Sequence, residues 1–226
     1  MDKMDYNLPQ IQNQALFRDM SADEIGEIIS GLNGMVLDFE KGDYLNRLLD
    51  RYASQGMACI LSGCALLLKY DTSGNQAVLD FVMPGYLIGC YRWLPVFKFA
   101  EVKIKATSKG QLLCLDGEKF TADNMAQIPL LAKMEHNIVN ILAERSYRLL
   151  RKADIISAHS LREKILAFLN AQRDYCRSNT FEIPMDRQEM ADYLYANRSA
   201  LSRELSSLRK EGLIHFDRNR FTLFYP

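Results

Sequence analysis

The side chains between Arg198 and Ser206 define the chemistry open to this chain. Arg198, Ser199, Ser202, Arg203 and Ser206 supply two guanidinium forks and three hydroxyls. A guanidinium holds its N–H donors in one rigid plane. It therefore bonds two acceptors at once, whether phosphate oxygens or O6 and N7 of guanine. Leu201, Leu205 and Leu208 are interleaved with these groups at i, i+4 and i+7. That spacing gathers the leucines on one helical stripe and leaves the arginines and serines opposite. Asn197 stands where it caps this helix, and Gly212 stands where it ends it. Upstream, Asp186 and Glu189 have capping-box spacing at another helix start, with Met190, Ala191 and Leu194 as its apolar residues. The break between the two helices falls at Tyr195 and Ala196. Two helices, a tight turn and a basic, hydroxylated second helix predict a helix-turn-helix, with Arg187 at the start of its first helix within reach of a phosphate.

The flanking elements position this pair. Leu213–Phe216 and Phe221–Tyr225 read as two strands around a turn at 217–220, a wing whose Arg218 and Arg220 are placed for phosphates. Ser160 and Glu163 form a further capping-box pair, opening a helix with Ile165, Leu166, Phe168 and Leu169 as its apolar residues. Ala153–His159 reads as a joint. From about Met125 the period is helical: Leu131, Met134, Ile138, Ile141 or Leu142, and Leu149 form a narrow seam interrupted by Arg145. Such a seam either pairs with an identical helix across a two-fold axis or packs on the chain's own sheet. Further upstream, strand candidates fall at 35–39, 57–61, 64–70, 77–83, 86–90, 102–106 and 111–115. Turn residues separate them every eight to twelve residues, the pattern of an antiparallel sandwich or barrel. Short helices are expected over 10–34, with Ser21 and Glu24 as a capping-box pair.

Composition narrows the classes. The 226 residues carry 28 Lys/Arg and 28 Asp/Glu, so overall charge gives no sign of a polyanionic partner. Residues 153–226 hold eleven Lys/Arg against ten Asp/Glu, whereas 197–210 hold four against one. A nucleic-acid reading must therefore rest on where the charges sit. No nucleophile elbow, P-loop, Rossmann glycine run or HExxH occurs, and His136, His159 and His215 are dispersed, so an enzyme is not expected. Cys59, Cys64, Cys90, Cys114 and Cys176 form no CxxC pair and read as reduced thiols. The first residues lack the layout of a signal peptide, and no apolar run reaches the roughly 20 residues that a membrane helix needs. A cytoplasmic location without membrane contact is expected.

The order of these elements resembles the Crp/Fnr superfamily of bacterial transcription regulators. The likeness is strongest in LREKILAFL (161–169), FEIPMDRQEMADYL (181–194), NRSALSREL (197–205) and LRKEGLI (208–214). FEKGDYL (39–45), ILSG (60–63) and MPGYLIG (83–89) look like the family's roll landmarks. The resemblance implies an α+β fold: an N-terminal antiparallel, jelly-roll-like β-roll that senses an effector (1–124), a long dimerisation helix (125–152) and a C-terminal winged helix-turn-helix (153–226). It implies a homodimer that binds an inverted repeat of double-stranded DNA, with RNA polymerase as a further partner. Arg198, Ser199 and Arg203 fall where the family reads base edges, while Ser202 and Ser206 are placed for phosphate or base. Tyr195 departs from the glycine common in the family's turn. If that position needs a positive φ, tyrosine costs about 1–2 kcal/mol there.

The family's cyclic-nucleotide members hold ribose with a Gly-Glu pair and phosphate with an arginine followed by Ser or Thr. Here Gly89 precedes Cys90, Lys98 precedes Phe99 and Ala100, Arg92 comes too early, and Leu149-Leu150 stand where adenine-reading hydroxyls would align. Cyclic AMP is not the expected effector. The absence of cysteine before Cys59 excludes an N-terminal iron–sulfur ligand run of the family's type. No cofactor or metal is expected. Two readings of the sensor remain: a small apolar or aromatic effector near Gly89, Cys90, Tyr91, Arg92, His136 and Asn140, or a thiol-responsive regulator of the same fold. A third alternative is an interaction module that does not bind DNA.

Overall fold

The computed structural model describes residues 7–52, 56–71, 73–74, 76–89, 102–117 and 129–225. The chain folds as two compact units, one from residues 1–67 and 81–145, the other from residues 68–80 and 146–226.

The first unit opens with α1 (Leu8–Gln12), a 3-10 turn (Ala15–Phe17) and α2 (Ala22–Gly31). Ser21 and Glu24 close the expected capping box on α2, each side chain taking the other's backbone N–H. One antiparallel sheet has the order β1-β7-β2-β5, with β1 Met35–Phe39, β2 Met57–Ser62, β5 Leu87–Ile88 and β7 Gly110–Leu115. The other has the order β4-β3-β6, with β3 Ala65–Tyr70, β4 Gln76–Val82 and β6 Lys103–Ala106. The register Met35↔Cys114 and Cys59↔Leu113 aligns the apolar faces, and the β2–β7 pairing shifts by a bulge between Ile60 and Ser62. At that bulge Gly110 crosses so close to Ser62 that an added Cβ would stand 2.1 Å from its carbonyl oxygen. Only glycine permits that approach. Ile25, Ile28 and Ile29 of α2 close over Met57, Cys59, Leu113 and Leu115 in one buried cluster.

Residues 45–52, where no element is expected from the strand pattern around them, form α3 (Leu45–Tyr52). The signal was present: Leu45, Leu48, Leu49 and Tyr52 recur at i, i+3, i+4 and i+7, and Leu45 and Leu49 are fully buried.

The long helix α4 runs unbroken over Pro129–Ser157. The joint expected over 153–159 is thus narrower, because only residues 158–160 separate α4 from α5 (Leu161–Cys176). The seam read from the sequence divides over two faces. Leu131, Met134 and Ile138 are buried in the first unit's own core, where Asn137 donates to Leu16 O and Arg18 O at 3.0 Å. Val139, Leu142, Leu149 and Leu150 lie exposed roughly a quarter turn away, given 3.6 residues per turn. Arg145 interrupts the seam because its guanidinium turns onto the Tyr86 ring, 4.7 Å from the centroid.

The second unit carries α5, β8 (Thr180–Glu182), α6 (Arg187–Tyr193), α7 (Arg198–Lys210), β9 (Ile214–Asp217) and β10 (Arg220–Leu223). Ser160 and Glu163 cap α5 as expected. The 180–182 segment is the third strand of the wing sheet, in the order β8-β10-β9. Phe221 stacks on Phe181 and tilts against Phe216, so the wing sheet has an aromatic centre.

Candidate nucleic-acid interface

Asp186 begins α6 with two backbone bonds, accepting from the N–H groups of Gln188 and Glu189 at 2.8 and 2.9 Å, while Glu189 accepts from its backbone N–H. α7 follows after four residues, and Leu201, Leu205 and Leu208 are fully buried beneath it. That stripe fixes the roll of the helix. Arg198, Ser199, Ser202 and Arg203 are consequently exposed together, with Ser206 half-buried at the edge. No acid among the described residues pairs with Arg198 or Arg203. The acids of this region are drawn aside instead. Arg162 of α5 bonds Glu204 at 3.1 Å and grips Glu211 with two donors. The Ser206 hydroxyl donates to Ser202 O at 2.8 Å, so it offers a ligand only acceptor capacity.

Asn197 occupies the cap position of α7 in extended backbone but makes no side-chain cap bond. The predicted Asn197 cap is absent. The first N–H groups of α7 therefore keep their anion-attracting polarity. Gly212 adopts φ 74° past the C-terminus, as the expected glycine stop requires, and Leu213 N–H reaches back to Leu208 O at 3.0 Å.

The turn between α6 and α7 keeps its positive-φ geometry rather than rearranging. Tyr195 sits at φ 51°, and Ala196 N–H closes back on Ala191 O at 2.9 Å. The side chain remains more than half exposed.

Arg187 is used within the fold. Its guanidinium donates to Arg218 O at 2.7 Å and lies over Phe216 and Phe221, 4.9 and 5.0 Å from their centroids. Partial burial there lowers its pKa. The residue expected on a phosphate thus braces the wing turn, where Arg218 takes φ 48° and Arg218 and Arg220 are exposed. The wing-facing role was not legible in sequence, because Arg187 lies about thirty positions from the strand it meets.

The proposed effector residues are not gathered to the same degree. Gly89 follows β5 with φ 78°. Cys90, Tyr91 and Arg92 lie outside the described residues, as do Lys98, Phe99 and Ala100. His136 and Asn140 are one turn apart on an exposed face of α4. Burial raises the Cys59 and Cys114 thiols to about 12, which makes both poor nucleophiles and weakens a thiol switch through them.

A β-roll followed by a long helix and a winged helix-turn-helix with an unpaired arginine face defines a DNA-binding regulator. The comparisons agree. Residues 163–224 match the Crp-like helix-turn-helix domain. The chain is similar to the transcriptional activator protein FnrL of Cereibacter sphaeroides, 26% identical over 178 residues that cover 74% of this chain and 68% of that one. The transcriptional activatory protein AadR of Rhodopseudomonas palustris is 23% identical over 174 residues, 69% of this chain and 64% of its own length. Among solved structures, FixK2 of Bradyrhizobium japonicum shares the fold at a TM-score of 0.64 and 16% identity, covering 85% of this chain and 93% of that one. The c-di-GMP-responsive global regulator CLP of Xanthomonas campestris does so at a TM-score of 0.71 and 16% identity, covering 91% and 100%. Residues 163–224 thus carry the match to a Crp-like helix-turn-helix domain, and over most of its length the chain is similar to transcriptional activators. Its relatives are regulators rather than enzymes, and no helix among the described residues is long and apolar enough to cross a membrane.

The turn yields a prediction. Tyr195→Gly relieves a left-handed cost of about 1–2 kcal/mol, adds unfolded-chain entropy of about 0.4–1 kcal/mol and gives up a ring contact with Lys152 worth about 0.5–1 kcal/mol, so it should leave stability within about 1 kcal/mol of wild type. Tyr195→Val should lower it by at least about 1 kcal/mol, since a β-branched residue resists this conformation. Denaturant midpoints at unchanged slope report both, and a stabilising valine would refute the assigned strain.

Proposed function

We propose that the chain acts as a homodimer that reads an inverted repeat, each subunit placing α7 in a major groove, with a small effector other than cyclic AMP biasing the DNA-competent state. The observation carrying this reading is the exposed Arg198, Ser199, Ser202 and Arg203 face above a fully buried leucine stripe. Arg198 and Arg203 are the base-reading donors, Ser199 and Ser202 the adaptable partners, and Arg218 and Arg220 the wing's phosphate contacts. Arg187 serves indirectly, by holding the wing turn that carries Arg218. Recognition helices about 34 Å apart enter successive grooves on one side of the duplex.

Dimerisation is supported by the exposed stripe of α4. Val139, Ser146 and Ala153 alternate with Leu142, Leu149 and Ile156 at heptad spacing, and Leu150 flanks them with 66% of its surface exposed. Ser146 and Ala153 are small enough to let two helices approach closely. A stripe of this length is an unstable surface for a lone chain.

Effector gating is supported by the sequence around the roll. Cys90 and Lys98 replace the groups that hold a cyclic nucleotide's ribose and phosphate, and the exposed Leu149 and Leu150 replace hydroxyls.

Three measurements test the parts. Arg203→Ala should relax preference at one base pair per half-site by about 1–3 kcal/mol. Equal loss on every sequence would instead make Arg203 a phosphate contact, and binding without salt dependence would remove DNA as the partner. The double substitution Leu142→Glu with Leu149→Glu should leave a folded monomer of 25.9 kDa by sedimentation. An unchanged dimer would place the interface elsewhere. Cyclic AMP should move neither the melting temperature nor the DNA affinity, whereas a screen of small apolar and aromatic compounds should contain one that moves both. A shift with cyclic AMP, or strong DNA binding that no compound changes, would reject the gating.

A further inference from the structure

Lys152 is a charged residue in a place built for an apolar one. It lies on the last turns of α4 with 6% of its surface exposed. Its ammonium donates to the carbonyl oxygens of Val78 and Leu79 on β4, and it sits over the Tyr193 ring at 4.1 Å and the Tyr195 ring at 5.6 Å. Tyr193 ends α6, and Tyr195 is the positive-φ residue of the turn. Two further ties run in parallel. Arg148 of α4 pairs with the buried Asp80 of β4 at 3.7 Å. Gln76 of β4 donates to Asp192 of α6 at 3.2 Å, and the other oxygen of Asp192 accepts from Gln188 at 2.8 Å. All of these residues belong to the second compact unit.

Burying an ammonium is costly, and burial does pull this pKa down, to about 8. Two carbonyl acceptors and two aromatic faces offset that cost only while β4, α4 and the helix-turn-helix turn keep this one arrangement. A methionine of similar length would pack there without demanding it. We infer that Lys152 is a positioning residue for DNA reading: it clamps the helix-turn-helix to the end of the long helix and so sets the attitude of each reading helix. The clamp grips the side of α6 and the turn, while Arg198, Ser199, Ser202 and Arg203 stay exposed. The clamped state therefore presents the reading face rather than hiding it.

This inference rests on the proposed dimer that reads an inverted repeat. Two heads must then meet two grooves at a set spacing, whereas one half-site needs only one head. A head released from the clamp samples many attitudes, and apparent affinity falls by the fraction that remains competent. Lys152→Met should weaken binding to the inverted repeat by on the order of tenfold or more, leave binding to an isolated half-site unchanged, and tolerate altered half-site spacing better than wild type. Gln76→Ala, at the edge of the same contact, should act in the same direction with smaller size. The inference is overturned if either variant keeps the wild-type ratio of inverted-repeat to half-site affinity, or if both sites weaken equally. A Lys152→Met protein that binds neither site has lost its fold, and Gln76→Ala then decides by the same ratio. If the wild-type protein shows no preference for the inverted repeat, the dimer reading fails and not the clamp alone.

Discussion

Three leucines govern the orientation of the exposed face of α7. Leu201, Leu205 and Leu208 are fully buried, and α7 cannot rotate without bringing one of them into water. Exposing a leucine costs about 1.5–3 kcal/mol, comparable with the value of a good arginine–guanine pair. A reading helix that rolled to improve one base contact would lose at least as much beneath it. The arginines are therefore presented by a helix whose rotation is set from below, and their own flexibility supplies only the last adjustment. The capping box of α6 and the glycine stop after α7 fix the two ends in the same sense.

The long helix serves two neighbours by using two faces. Its buried face belongs to the roll: Leu131, Met134 and Ile138 complete the core, and Asn137 satisfies two backbone carbonyls that would otherwise be stranded. Its other face is apolar in a heptad rhythm and exposed among the described residues. The sequence reading merged these faces into one seam, because residues 138, 141 and 142 fall near the border between them. Periodicity shows that a helix is amphipathic but does not separate two adjoining apolar stripes.

What was legible followed the range of the interaction. Capping boxes at Ser21, Ser160 and Asp186 span three residues and are all present. The strands of the roll, marked by their turns, also formed within a residue of where expected, except that only Leu87–Ile88 of 86–90 is strand and Cys90 lies outside the described residues. The misses were of two kinds. α3 carries its helical spacing openly but lies among strands, whose period of two surrounds it on both sides. Arg187 and Lys152 are different, because their partners come from strands distant in the chain. A surface arginine and a lysine in a charged run look alike in sequence whether they meet solvent or brace a wing. Only the fold distinguishes them.

The charge count shows why this distinction matters for function. Residues 153–226 carry almost no net charge, which argues weakly for a polyanionic partner when charges are only summed. A phosphate within a Debye length of about 8–10 Å responds to the charges nearest it. Glu204 and Glu211 are both held against Arg162, on the α5 side of α7. One guanidinium holds both carboxylates on that side, away from the exposed face. Arg198 and Arg203 have no such acid beside them among the described residues, and Arg218 and Arg220 extend the same positive sign onto the wing. The fold gives a nearly neutral domain a basic face and keeps these two acids to the side of it. Position, rather than total charge, makes this surface suited to DNA.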